Sequence, residues 1–468
     1  MRVRTLPGAT AMPPILNPAA GGGSSVVDPR RVRVRDANSG RPHPWATGAK
    51  EMALLVELVS VRLPGMRSRL AGRGRGRDGE TPDWSRFLAL AEHHQVAALA
   101  NECLREAHFD VPSWVADRLQ EQSEVNARFA LAQAAQTIAL AKLFGQEGIP
   151  AIVLKGSILA LRAYGNLGLR QHGDVDLLVP PPDIDRAVDL LVRNGYELVL
   201  RYTTDDPACS AYREIATDLR SGRGRRASDP SDLDPGHSRL RRTWAAFLEL
   251  GNELSFGSAE HGSVDLHWKA FRNDRFFPVE VWSNRARWPF HGVELGVLSA
   301  EAEVIYLAAH GAGHGWLHLK WLVDLPYFIS RAGPDLDEVR RMAGDSGLET
   351  LVTSALVLSH QLFGVPGREA LEGFARQGER VGAVVAATSR RLFAQPAEGG
   401  QHKQSTQLLY QLRLRRDLLY RLRAVEDALA PANRWLEMVG WAPAGSVAAR
   451  SARVARCVLT SHARVAPR

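Results

Sequence analysis

The stretch that decides the fold is Ile149-Pro-Ala-Ile-Val-Leu-Lys-Gly-Ser-Ile-Leu-Ala-Leu-Arg-Ala-Tyr-Gly-Asn-Leu-Gly-Leu-Arg-Gln-His-Gly-Asp-Val-Asp-Leu-Leu-Val179. It opens with a short apolar run, Ala151 to Leu154, passes Lys155-Gly156-Ser157, and continues as a helix-like segment through Tyr164. It closes on Asp174-Val175-Asp176-Leu177-Leu178-Val179. Side chains alternate faces along a strand, so Asp174 and Asp176 point one way while Val175, Leu177 and Val179 point into a core. Two carboxylates on one face of an apolar strand are costly unless positive charge sits between them. A divalent cation is the simplest candidate, because hard cations take carboxylate oxygens.

A third carboxylate lies in Gly262-Ser-Val-Asp265-Leu-His267-Trp268. By the same alternation Asp265 and His267 share one face, and Val264, Leu266 and Trp268 share the other.

A Gly-Ser turn, an Asp-x-Asp strand and a later strand with one Asp resemble the polymerase β-type nucleotidyltransferase superfamily. The wording Val153-Leu-Lys-Gly156, then Tyr164, Arg170, Gly173-Asp-Val-Asp-Leu-Leu-Val179 and Val264-Asp-Leu-His-Trp268 is similar to a bacterial family of uncharacterised nucleotidyltransferases, often found beside peptide and polysaccharide biosynthesis genes. The resemblance runs from Trp84 to the C-terminus, with its sharp motifs in 152–179, 264–268 and 310–324. It implies an α/β (α+β) fold, with a small mixed-sheet nucleotidyltransferase core between N-terminal and C-terminal helical regions. The implied reaction moves a nucleoside monophosphate from an NTP, with ATP expected, to a small-molecule, peptide or glycan acceptor.

Two-metal phosphoryl chemistry needs carboxylates from different elements, holding cations about 3.5–4 Å apart. On this reading Asp174 and Asp176 bridge Mg2+ (or Mn2+), and Asp265 completes the site and orients or activates the nucleophile. The alternative is three carboxylates at a sheet edge, each paired with Arg. Gly156 and Ser157 stand at a helix N-terminus, where backbone N–H groups and the dipole favour anions, and are expected to bind phosphates. The superfamily usually has a shorter gap between this turn and the Asp pair. Lys155 and Arg170 are the nearest cations and are read as triphosphate contacts, or else as partners of Asp174 or Asp185. His310, His314 and His318 lie four apart, hence on one helical face. No Cys is near and no Glu follows the first His, which disfavours zinc. With His267 and Asp324, His310 and His314 are candidates for the acceptor or base pocket. Trp268, Trp316 and Trp321 read as core.

Along the chain, residues 1–50 are rich in Pro, Gly, Ser and Arg and read as a disordered tail. Residues 51–147 read as an N-terminal helical region, with a start signal at Thr81-Pro82-Asp83 and a long helix from Pro112-Ser113 toward Gly148. The core spans 148–295. Within it Pro180-Pro-Pro-Asp183 caps a helix whose stripe is Ile184, Ala187, Val188 and Leu191. Residues 203–244 read as a mobile insertion. A helical domain follows over 296–395, then a basic, helical C-terminal region over 396–468.

Of 468 residues 45% are hydrophobic, enough for a substantial core, and the net charge is +8. That balance suits a phosphate-rich ligand. A tRNA- or nucleic-acid-modifying enzyme is an alternative but not the favoured one, since the excess lies largely in the tails. A non-catalytic partner of a biosynthetic complex is the other alternative. Three cysteines without metal-type spacing argue against a disulfide framework and suit the cytoplasm. No apolar run approaches the roughly 20 residues that span a bilayer.

Overall fold

The computed structural model describes residues 49–64, 82–199, 248, 251–277, 279–372, 374, 378–393 and 404–429. All of the expected tail at 1–50 except 49–50, the whole 203–244 insertion, and 396–403 and 430–468 of the expected C-terminal region at 396–468 lie outside the described residues. Seven strands appear among them: β1 (Ile152–Val153), β2 (Val175–Leu178), β3 (Glu197–Leu198), β4 (Glu253–Ser258), β5 (Gly262–His267), β6 (Arg285–Phe290) and β7 (Val293–Leu298). They form one mixed sheet in the order β3-β4-β5-β2-β1-β7-β6. The β2–β5 and β1–β7 pairs are parallel, and the other four are antiparallel.

The alternation read in Asp174–Val179 sorts the two faces. Val153, Val175, Leu177, Val264, Leu266 and Val297 share one apolar cluster with Ala134, Leu140 and Phe144, and with Ile184, Ala187, Val188 and Leu191. The first three helical residues belong to the helix Ser113–Gln146, the others to the helix Ile184–Arg193. Ile152, Leu154, Leu178 and Leu298 face the opposite way, into a second, larger cluster. The carboxylates lie on that second face, between its apolar ends.

Helices α1 (Ala49–Val59), α2 (Trp84–His93), α3 (Ala97–Ala107) and α4 (Ser113–Gln146) precede the sheet. The mixed spacing from Phe87 to Leu104 resolves into two helices, because Gln95 adopts φ 57° between them. Asp83 caps α2 as expected, accepting from Arg86 N–H. The quoted stretch forms α5 (Gly156–Leu159), then a π-helical turn, Ala160–Tyr164. Helix α6 (Ile184–Arg193) ends at Asn194-Gly195 as expected. Its start differs: Pro181–Asp183 makes a 3-10 turn, and Asp183 binds Arg186 Nη1 at 2.6 Å instead of capping.

After β7 come α7 (Ala300–Gly313), α8 (Leu319–Ala332), α9 (Leu336–Asp345), α10 (Glu349–Phe363), α11 (Arg368–Glu372), α12 (Gly378–Phe393), α13 (Gln404–Leu414) and α14 (Leu418–Leu429). Helices α7, α8 and α10 supply much of the larger cluster, including Val304, Tyr306, Leu322, Phe328 and Leu356. The β6–β7 hairpin has no counterpart in the sequence reading. β6 is mostly exposed and contains Pro289, so it carries neither an apolar alternation nor an unbroken β pattern.

Candidate active site

Strand pairing brings the acidic residues together. Asp176 on β2 and Asp265 on β5 are register partners in a parallel pair, so their side chains leave the same face side by side. The adjacent β4–β5 pairing sets Glu253 opposite His267 on that face. One ligand atom each from Asp176, Asp265 and His267 lies within 4.8 Å of the others. Asp174, one turn of the pleat earlier, lies close enough for the Asp176 and Asp265 charges to act on it. Two of the three carboxylates expected to meet, Asp176 and Asp265, are therefore brought together although Asp265 lies far along the chain, and His267 joins them.

Lys155 lies two residues past the end of β1, and the intervening Leu154 N–H donates to Asp176 O at 3.1 Å. This antiparallel neighbour relation puts Lys155 Nζ 2.9 Å from Asp176 Oδ1. His267 Nε2 is 3.2 Å from the same oxygen, and its Nδ1 is 3.3 Å from Glu253 Oε2. Burial alone would raise the Asp176 pKa; Lys155 and then His267 outweigh it and hold the carboxylate below the usual range. Asp174 behaves oppositely. Burial, then repulsion from Asp176, pushes it up to about 6. Burial works against the charged form of His267, but its hydrogen bond to Asp176 prevails and raises it.

Gly156 adopts φ 62°, where a side chain would be strained, as the backbone turns from β1 into α5. A Cβ there would touch Asp174 O and His172 Cδ2, each at 3.5 Å, so this turn packs directly on the Asp strand. Ser157 is 2% exposed. Its hydroxyl is 3.2 Å from His172 Nε2, while His172 Nδ1 is 2.9 Å from Arg170 O. A carbonyl only accepts, so Nδ1 carries the proton and Ser157 Oγ–H donates to Nε2. The Ser157 proton expected for phosphate is therefore used within the fold. His172 is pushed down to about 4 by burial and by Arg170, consistent with a neutral ring.

Arg170 is also turned inward. Its Nε and Nη2 reach Asp324 Oδ1 and Oδ2 at 3.0–3.1 Å, and Tyr164 OH donates to Asp324 Oδ1 at 2.8 Å. Arg170 and Asp324 thus link the quoted stretch to α8, and the partner of Arg170 is Asp324, not Asp174 or Asp185. A second buried pair, Arg162 Nη1 to Glu303 Oε2 at 3.0 Å, ties the π-helical turn to α7.

The histidine series does not share one helix. α7 stops at Gly313, His314 is its C-cap, Trp316 adopts φ 57°, and His318 precedes α8. His318 Nδ1 instead meets His93 O at 2.6 Å. His310 and His314 both feel the Lys155 charge. His310 is buried and packs edge-on against His314, with centroids 4.6 Å apart. Burial and then the Lys155 charge hold His310 well below its ordinary value. His314 keeps an exposed edge and stacks on Trp321 at 4.6 Å and 25°. Desolvation, then Lys155, pushes it down to about 4.

Three residues near this face carry no local signal in the sequence. Glu253 could have been found only by pairing the β4 alternation with β5. Tyr306 and Lys320 come from helices. Lys320 Nζ donates to Gln95 Oε1 and, at 3.0 Å, to Gln171 O; burial and then Arg170 push it down to about 7.

A family profile described as an uncharacterised nucleotidyltransferase matches residues 80–364, more than half of the chain. Comparison with curated proteins finds no match, and neither does comparison with solved structures. No helix among the described residues is long and apolar enough to cross a membrane.

Proposed function

Because the chain belongs to this uncharacterised nucleotidyltransferase family, we propose that it transfers a nucleoside monophosphate from an NTP to an acceptor hydroxyl, amine or phosphate. The observation that carries this reading is the register match of Asp176 with Asp265, whose ligand atoms lie within 4.8 Å of each other. Carboxylates converging from two strands suit divalent-cation-assisted phosphoryl chemistry.

The residues fit a hard cation. Their oxygens converge on a largely buried face, and Asp174 is pushed up to about 6 by that burial and by Asp176. Asp174, Asp176 and Asp265 would supply the oxygens. When bound, Mg2+ or Mn2+ supplies positive charge against the triphosphate and acidifies the attacking group. The acceptor's nucleophilic atom forms a bond to the α-phosphorus, the bond to the α–β bridging oxygen breaks, and pyrophosphate departs with that electron pair. Asp265 orients the acceptor and takes its proton. Lys155 sits at the strand end beside Asp176 and offers an ammonium to the phosphates. Gly156 lets the backbone approach them closely. The exposed edge of His314, backed by Trp321, offers a flat surface for the base or the acceptor.

The test is incubation of the full chain with each labelled NTP, Mg2+ or Mn2+, and cell extract, followed by mass spectrometry of adducts. The expected result is a metal-dependent nucleotidyl adduct with matching pyrophosphate release, lost in Asp176→Asn and Asp265→Asn. The rival reading is a non-catalytic protein that keeps the fold. The Lys155–Asp176 pair favours it, because an ammonium already neutralises the central carboxylate. Absence of pyrophosphate release from any NTP, together with no heat of binding for metal or nucleotide, would decide for the rival.

A further inference from the structure

We infer that His267 is a metal ligand through Nε2, held in place by Glu253, and that the site therefore prefers Mn2+ to Mg2+. The inference rests on the cation-binding reading of the carboxylate face given above. Four observations meet at this ring. His267 Nε2 falls in the same 4.8 Å cluster as donor atoms of Asp176 and Asp265. It is 3.2 Å from Asp176 Oδ1. That contact is a hydrogen bond in which Nε2–H donates to the carboxylate; two donors at right angles on one ion, each about 2.1–2.2 Å from it, also lie roughly 3 Å apart, so a cation can replace the Nε2 proton, which is released on binding, without moving the ring. The ring is also almost fully buried, with 5% of the side chain exposed, so it has no solvent role.

The fourth observation is the far side of the ring. Nδ1 is buried and makes no well-directed hydrogen bond, yet lies 3.3 Å from Glu253 Oε2. A carboxylate behind the second nitrogen is the arrangement that fixes a metal-bound histidine, because it keeps the proton on Nδ1 and leaves the Nε2 lone pair facing the ion. Register enforces it, since Glu253 and His267 are partners across β4 and β5. The sequence pattern is Asp265-x-His267 opposite Glu253-x-Ser255.

This donor set has a consequence for the ion. Mg2+ favours oxygen donors and retains several waters. Imidazole nitrogen favours transition metals, and affinity rises along that series from Mn2+ onward. One imidazole beside the carboxylates thus discriminates against Mg2+ in a way that carboxylates alone would not. Glu253 is a positioning residue here, acting through His267.

Pulsed electron paramagnetic resonance on the full chain loaded with Mn2+, without nucleotide, tests the inference directly. The expected spectrum contains 14N modulation from a bound imidazole, and His267→Asn removes it. Competition titrations with Mg2+ should give a Mn2+ preference that falls roughly tenfold in His267→Asn. Glu253→Gln should weaken Mn2+ by roughly tenfold or more, with Mg2+ little changed. Bound Mn2+ without 14N modulation in the wild type overturns the inference and leaves the nucleotidyl-transfer reading intact. Modulation that survives His267→Asn assigns the nitrogen elsewhere and also overturns it. Failure to bind Mn2+ at all overturns it together with the cation-binding reading. The wild-type spectrum decides even if His267→Asn fails to fold.

Discussion

Arg170 and Asp324 lie 154 residues apart and form a buried ion pair in which Nε contacts both carboxylate oxygens and Nη2 contacts one. Tyr164 OH completes the shell around Asp324. The pair joins the loop before β2 to α8, and so fixes where the Asp strand starts. Removing one member leaves a buried charge without compensation.

Arg170→Met should therefore lower stability by about 3–5 kcal/mol. Arg170→Lys should recover only part of this, because an ammonium cannot reproduce the guanidinium fork. Urea unfolding measures both. Nucleotide affinity of the folded fraction should hardly change; a large loss of affinity at unchanged stability would return Arg170 to a phosphate-binding role.

Gly296→Ala tests the join between the core and the hairpin. Gly296 is the register partner of Ile152 in the parallel β1–β7 pair. A Cβ there would lie 2.4 Å from Ala151 O, a backbone atom that cannot swing aside. We expect a loss of about 1–3 kcal/mol from overpacking, read as a lower urea midpoint. An unchanged midpoint would mean that β1 and β7 are not packed this closely.

The local half of this architecture is legible in the sequence, and the non-local half is not. Asp174-Val-Asp-Leu-Leu-Val179 reveals its faces because the strand period is two and neighbours suffice. Val264-Asp-Leu-His267 does so too. The partners of Arg170 and Ser157 depend on how α8 and His172 pack, so the same side chains read equally well as phosphate contacts. His318 illustrates a different failure. Spacing of four implies one face only while the helix lasts, and the break at His314–Trp316 cancels it. Glu253 is invisible until β4 is registered against β5.

Asp174→Asn should stabilise the metal-free protein near neutral pH. Folded Asp174 holds its proton up to about 6, whereas an unfolded Asp releases it near 4, at about 3.9. Between those values the folded state binds more protons, so this group subtracts stability as pH rises from about 4 to 6. Above that window the variant should be more stable than wild type by about 1–2 kcal/mol, allowing for partial exposure; at pH 3.5 the gap should close. Melting curves in chelator across this range provide the measurement. A variant less stable than wild type at pH 7.5 would show that Asp174 is held by attraction and not by repulsion.

Lys155→Met separates the two cations that compete for Asp176. Without metal, Lys155 is the main group holding the Asp176 carboxylate ionised on a buried face, with His267 second. Its removal from a buried pair should cost about 3–5 kcal/mol in chelator. A divalent cation binds only the folded state and so raises its stability in proportion to occupancy. In Lys155→Met that cation should also relieve the uncompensated Asp176 charge, so saturating Mn2+ should raise the melting temperature of the variant more than that of wild type. NTP affinity, measured with metal present, should still fall, because the ammonium beside the phosphates is gone. Equal metal-induced shifts in the two proteins would mean that Lys155 and the metal do not share Asp176. Unchanged NTP affinity would leave Lys155 as a counter-ion of the fold alone.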